Sequence, residues 1–275
     1  MPHFYFLFLI LLVGSQKLNG QEHRAEFFTY GGLPTGKDVQ VLYNLGFITG
    51  YSNTLKNPLW TCYRLGNAKG RYQETDREKL VKWQRPRSFK VDHRTTAKVS
   101  HDDYTGSGFQ RGHMAPDAAI QAQYGQLALL DTYLMSNISP QHGDLNQGIW
   151  EELESYVRKT LSQDDTQDKE IHDVFVITGP IFTEGQTEIL DSGVPVPTHF
   201  YKIFAYKRGY YGGVIKAASF VFPQHPQSDE FMDYVKSVDE IEQLTGLDFF
   251  SDLSNIKQRN LESKTRDFRL EEVGN

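Results

Sequence analysis

Side chains with proton, phosphate and metal chemistry gather in two short stretches of this chain. The first reads Phe109-Gln110-Arg111-Gly112-His113-Met114-Ala115-Pro116, with an arginine and a histidine on either side of a glycine. The second runs Ser136-Asn137-Ile138-Ser139-Pro140-Gln141 and continues from Asp144 through Asn146 to Glu154. Histidine exchanges protons near neutral pH, a guanidinium forks onto phosphate oxygens, and a carboxamide oxygen suits a hard cation. These are the parts required for metal-assisted hydrolysis of a phosphodiester, with His113 as the base. An unperturbed imidazole would make such a reaction rise with pH at about 6.5.

Spacing sorts the roles in the second stretch. Asn146 falls at or beside the N-cap of an expected helix, and capping is itself an ordinary use of asparagine. On a continuous helix rising about 1.5 Å per residue, Asn146 and Glu154 would stand about 12 Å apart. Bonds from Mg²⁺ to oxygen are about 2.1 Å, so the two side chains do not readily share one ion. Asn146 is therefore the expected direct ligand, and Glu154 is expected to act through water. Arg158 follows Glu154 at the favourable i,i+4 spacing for an ion pair.

The elements that must position these groups are legible as mixed α and β. Gln40–Tyr43, Phe47–Tyr51 and Leu59–Leu65 have strand character, and Asn57-Pro58 leads into the last of them. Ile120, Tyr124, Leu127, Leu130 and Leu134 predict one amphipathic helix over 120–135. Ile149, Leu153, Val157 and Leu161 predict a second from about Asn146 to Leu161. Further strands are expected at Val174–Pro180, Val194–Lys202 and Val214–Phe222, and a helix at Val238–Leu247.

The chain has 275 residues and a formal net charge of −6, which disfavours a protein that coats nucleic acid but not an enzyme that grips phosphates locally. Lys82, Arg85, Arg87, Lys90, Arg94 and Lys98 crowd ahead of the first motif with Asp92 alone opposing them; a solvated loop is the plain alternative. One cysteine, Cys62, rules out an internal disulfide, and its β-favouring surroundings predict a buried, inert thiol. The apolar run Phe4–Val13 reads as a signal peptide over 1–20, which predicts a secreted or periplasmic protein without stable membrane association after removal; an uncleaved anchor is the plain alternative. Residues 21–255 then form one domain, and 256–275 read as a charged tail without an apolar face.

The Arg-Gly-His-Met-Ala-Pro run with Asn146 downstream resembles the DNA/RNA non-specific endonucleases of the ββα-metal, or His-Me finger, class. The similarity continues through Val174–Pro180, ending in Thr-Gly-Pro, the stretch Val194–Lys202 with its prolines, aromatic pair and lysine, and Val238–Leu247. It implies an α+β fold: a mostly antiparallel central sheet flanked by helices, carrying a ββα-metal finger. It implies endonucleolytic cleavage of DNA and RNA to 5′-phosphate products, with Mg²⁺ as cofactor and Mn²⁺ or another divalent cation able to substitute. By the same resemblance Arg87 and Arg111 hold or neutralise phosphate, Asn137 and Gln141 lie near the active centre as substrate contacts, and Arg158 orients Glu154 on the substrate side. Asn137-Ile138-Ser139 is also formally a glycosylation sequon. The departure from the family pattern is Gln110, where most relatives carry Asp, which bears on how Arg111 is oriented. A non-cutting nucleic-acid binder, an exonuclease with terminus preference, and a homodimer stay open.

Overall fold

Along His199–Arg208 the buried side chains divide by parity. Phe200, Phe204 and Tyr206 enter one apolar cluster, while Tyr201, Ile203 and Ala205 enter another. A strand that feeds two cores lies in the middle of a sheet covered on both faces. The computed structural model describes residues 20, 22–66, 84–162, 171–185, 187–208 and 215–263. Its central sheet comprises β1 (Gln40–Tyr43), β2 (Ile48–Ser52), β3 (Asn57–Gly66), β6 (Ile171–Ile181), β9 (His199–Arg208) and β10 (Ile215–Pro223), hydrogen-bonded in that order. Every pairing in it is antiparallel. The expected α+β architecture is thus the one observed.

Helices α1 (Asp117–Tyr124), α2 (Gln126–Thr132), α3 (Gly143–Asn146) and α4 (Ile149–Ser162) contribute Ile120, Ala128, Leu145, Leu153 and Val157 to the cluster on one face. Helices α5 (Val238–Thr245) and α6 (Asn255–Glu262) supply Ile241 and Leu261 to the other. A third, smaller cluster joins Val99, Tyr104, Met135, Ile138, Leu190, Val194 and Val196. It lies beneath a two-stranded ribbon of β4 (Gln110–His113) and β5 (Ile138–Gln141). A further short pair, β7 (Glu188–Ile189) and β8 (Pro195–Val196), completes the strands.

Several sequence expectations shift. The single helix over 120–135 is two helices, parted at Gly125, whose φ of 85° no helix interior accommodates. The apolar stripe breaks there, leaving Leu127 at 61% and Leu130 at 38% exposure. The stretch expected as one strand over 194–202 divides into β8 and the start of β9. Asn57 and Pro58 do not precede β3 but belong to it, opposite Ser52 and Tyr51, beside a bulge at Gly50/Tyr51. The expected tail from 256 begins as α6, where Leu261 is 5% exposed within the second cluster. Sparse apolar periodicity concealed it, because one buried leucine near the C-terminal end does the packing. Residues 1–19 and 264–275 lie outside the described residues, as does Lys82. Among the described residues no helix is long and apolar enough to cross a membrane.

Candidate active site

The QRGH stretch forms β4 and pairs antiparallel with β5, Gly112 opposite Ser139 and His113 opposite Ile138. The glycine is dictated by crowding. A Cβ at residue 112 would lie 1.9 Å from Gln141 Oε1, and Gln141 is itself fully buried. The ribbon is moored to the main sheet where Ser139 Oγ donates to Asn57 Oδ1 at 2.7 Å. From β5 the chain turns into α3 and then α4, so two strands and a helix form a continuous finger.

Asn146 ends the one-turn helix α3, and α4 begins only at Ile149. It therefore does not cap the long helix, as the sequence had suggested. Its Nδ2 donates to Gln110 Oε1 at 2.7 Å across the base of the finger. With the amide nitrogen committed, Oδ1 is the atom left to accept a cation. One carboxamide oxygen is a fitting protein contribution for Mg²⁺, which keeps most of its waters. Gln110 thus orients Asn146. Arg111 is set by other groups: its Nε and Nη2 donate to His101 O at 3.1 and 2.6 Å, Nη2 also to Thr105 Oγ1 at 3.1 Å. The departure at 110 leaves the arginine held.

His113 sits against the rings of Phe89 and Tyr133, with centroids 5.2 and 5.4 Å away. Nε2 is sealed from solvent and has no hydrogen-bond partner. Burial drives its pKa down to about 4, opposed by the charge of Asp117 and aided by that of Arg85. The expected activity rise near 6.5 therefore moves to lower pH. Asp117, at the start of α1, was assigned no role from sequence. Its carboxylate accepts from Tyr133 Oη at 3.0 Å, pairs with Arg85 Nε at 3.3 Å, and raises the pKa of both His113 and Glu154. Its place four residues after the motif histidine was the only signal, and a helix start explained it equally well.

Glu154 was expected to pair with Arg158. Its close partner is Lys202, whose Nζ lies 2.7 Å from Oε1 and 3.9 Å from the centre of the Trp150 ring. Lys202 is fully buried, because strand parity aims it with Phe200 and Phe204 at α4. Burial raises the Glu154 pKa and lowers that of Lys202, and each charge counteracts the shift of the other. Arg158 adds its charge to the same carboxylate and donates from Nη2 to Ser155 Oγ at 3.2 Å.

Asn137 and Gln141 are corrected as substrate contacts, since both are wholly buried. Asn137 Oδ1 accepts from Ala115 N, and Nδ2 donates to Ala115 O and Thr132 O. It fixes the backbone just beyond His113, and burial leaves no room for a glycan. Gln141 packs over Gly112. In the basic segment, Arg94 turns inward to Asp92, Tyr43 O and Asn44, and Lys98 Nζ donates to His93 O at 2.6 Å. Arg87 and Lys90 stay exposed. Cys62 is buried, and its thiol is pushed well up by that burial, as an inert core cysteine should be.

Residues 24–256 match the model of the DNA/RNA non-specific endonuclease family. The chain belongs to that family. Human "Nuclease EXOG, mitochondrial" is 29% identical over 89% of this chain and 67% of its own. "Nuclease 1, mitochondrial" of Schizosaccharomyces pombe is 30% identical over 86% of this chain and 72% of its own. Bovine "Endonuclease G, mitochondrial" is 33% identical over 55% of this chain, and the match spans about half of that relative (51%). The solved EndoG/EndoGI complex superposes with a TM-score of 0.68 at 24% identity, over 85% of this chain and 93% of that one, and shows the shared fold. These names overturn the secreted or periplasmic expectation, because such relatives are mitochondrial nucleases. An apolar N-terminal run reports affinity for an apolar phase and carries no address by itself. Nucleases of the family use divalent metal ions.

Proposed function

We propose that the chain is a divalent-metal-dependent endonuclease that hydrolyses DNA and RNA to 5′-phosphate products, with Mg²⁺ as the working ion. The observation that carries this is the finger itself: one strand bears His113 and, through Gln110, fixes the carboxamide of Asn146. Family membership supplies the reaction class, and the mitochondrial names of relatives support action in mitochondria.

His113 is the base. Since Nε2 is sealed, Nδ1 is the nitrogen left to take the proton from attacking water. The nearby carboxylate of Asp117 favours the imidazolium that results. Arg111 keeps Nη1 for a phosphate oxygen while its other donors grip the loop at His101 and Thr105. Exposed Arg87 offers a second guanidinium, which can fork onto phosphate. A divalent ion at Asn146 would neutralise charge on the phosphate and the leaving oxygen. Glu154, with Arg158 beside it, would act through water near that ion, held in place by Lys202. No step requires a 2′-hydroxyl, so both sugars serve.

Plasmid DNA and a structured RNA, each incubated with the protein in Mg²⁺, should both be degraded, the plasmid through nicked and linear forms. EDTA should stop both reactions. Asn146→Ala should lose turnover and shift the Mg²⁺ dependence to higher concentration. Normal cutting by Asn146→Ala with an unchanged metal curve would remove the proposed ion site. Shortening of linear DNA without any nicking would replace the endonuclease reading with an exonuclease.

A further inference from the structure

Where β5 passes into α3, three metal-ligating side chains converge on a point that the proposed reaction does not use. His142 Nδ1 lies 3.2 Å from Asp144 Oδ2, and His225 Nδ1 lies 3.4 Å from the same oxygen. The two imidazole centroids are 4.0 Å apart, tilted by 51°. All three residues offer a ligand atom within 4.8 Å of one another. Around a tetrahedral ion with bonds of about 2.0–2.1 Å, neighbouring ligand atoms stand roughly 3.3 Å apart. Both histidine–carboxylate separations meet that requirement.

Hydrogen bonds fix the backbone around these side chains. The Asp144 backbone N–H donates to His142 Nδ1 at 3.3 Å, a long bond that occupies the lone pair of that nitrogen and that an ion there would displace. Asp144 Oδ2 lies 3.2 Å from the same nitrogen, within the span that one bound ion bridges. The backbone beneath is fixed by a buried amide. Gln224, 9% exposed, accepts from the His142 N–H at 2.7 Å and donates to Pro140 O and Pro197 O at 2.9 Å each. One side chain thus clamps the residue bearing the first histidine beside the residue preceding the second. Asp144 and His225 are exposed, which leaves the remaining coordination positions open to water.

We propose that His142, Asp144 and His225 form a second metal site, separate from Asn146, for a late first-row divalent cation of the zinc type. Two imidazoles and one carboxylate suit Zn²⁺, Co²⁺ or Ni²⁺, whereas Mg²⁺ prefers an all-oxygen shell. The ion would tie α3, which carries Asn146, to the turn that follows β10.

The test is a Co²⁺ titration of the untagged, EDTA-stripped protein in excess Mg²⁺, which fills the oxygen site. Visible absorption reports imidazole coordination, and calorimetry reports stoichiometry. One equivalent of Co²⁺ should bind, be displaced by Zn²⁺, and bind equally well to Asn146→Ala. His225→Gln, at an exposed position, should keep Mg²⁺-supported plasmid cleavage. It should weaken Co²⁺ binding by at least the roughly 10–100-fold that loss of an outer-shell partner costs. Asp144→Asn should weaken Co²⁺ binding in the same way. Wild-type affinity in both variants, or no cobalt–imidazole absorption in the wild type at millimolar Co²⁺, would overturn the proposal.

Discussion

His113 illustrates how much a residue's surroundings add to its type. An isolated imidazole titrates at about 6.5, whereas between Phe89 and Tyr133 burial brings His113 down to about 4. The proposed base is therefore already neutral at mildly acidic pH, and the acid limb of the rate profile should fall well below 6.5. The same shift has a stability consequence with a definite sign. Between about 6.5 and 4 the unfolded chain protonates this histidine and the folded chain does not. Stability should consequently fall as pH drops through that window. His113→Gln should flatten that part of the stability curve and cost about 10²–10⁴ in rate while nucleic-acid binding persists. Denaturant melts and initial rates between pH 4 and 8 read both effects. A rate still climbing steeply above pH 6.5 would show that His113 titrates normally or is not the base.

Among the elements, β9 and α4 depend on each other through one ion pair. Strand parity commits Lys202 to the face that α4 covers, and Glu154 is the group that meets it. A buried charge stripped of its partner commonly costs about 3–5 kcal/mol, while removing both partners costs much less. Lys202→Met should thus destabilise strongly, and Lys202→Met combined with Glu154→Gln should recover much of the loss. Equilibrium unfolding of the two single variants and the double variant measures the coupling. Simple additivity would mean that the pair contributes nothing as a pair. The β4–β5 ribbon shows a similar dependence without charge, since Gly112 and Gln141 occupy space that only a missing Cβ leaves.

Across the whole molecule, the sheet separates two large apolar clusters, and the active finger sits on the side of the first. The second has no part in the chemistry but completes the sheet's burial, and α6 closes it with Leu261. Leu261→Ala should cost about 2–5 kcal/mol, the usual range for a buried leucine. Activity per folded molecule should be unchanged, because neither Asn146 nor His113 touches that face. A thermal melt together with a specific-activity assay decides it. An undisturbed melt would return residues from 256 onward to the status of a tail.

The family motif, a mixture of α and β elements, the strands at Gln40–Tyr43 and Leu59–Leu65 and the buried Cys62 were all legible in the sequence, and the α+β class followed from the family resemblance. The elements, the thiol and the motif rest on local pattern: alternation, β-favouring residues, and a contiguous run of catalytic residue types. Roles that depend on contacts between distant segments were not legible. Gln110 could not be known to hold Asn146, because their bond joins β4 to α3 across the finger. Lys202 lay in a motif but acquired its use only when β9 was placed beneath α4. Asn137 and Gln141 looked available to substrate because polar side chains near a motif usually are. Folding buried them, since an edge ribbon resting on the Val99–Ile138 cluster must satisfy or cover its inward-facing groups. Chemistry-bearing residue types follow from sequence, whereas each group's partner, exposure and proton affinity is decided by the segments packed around it.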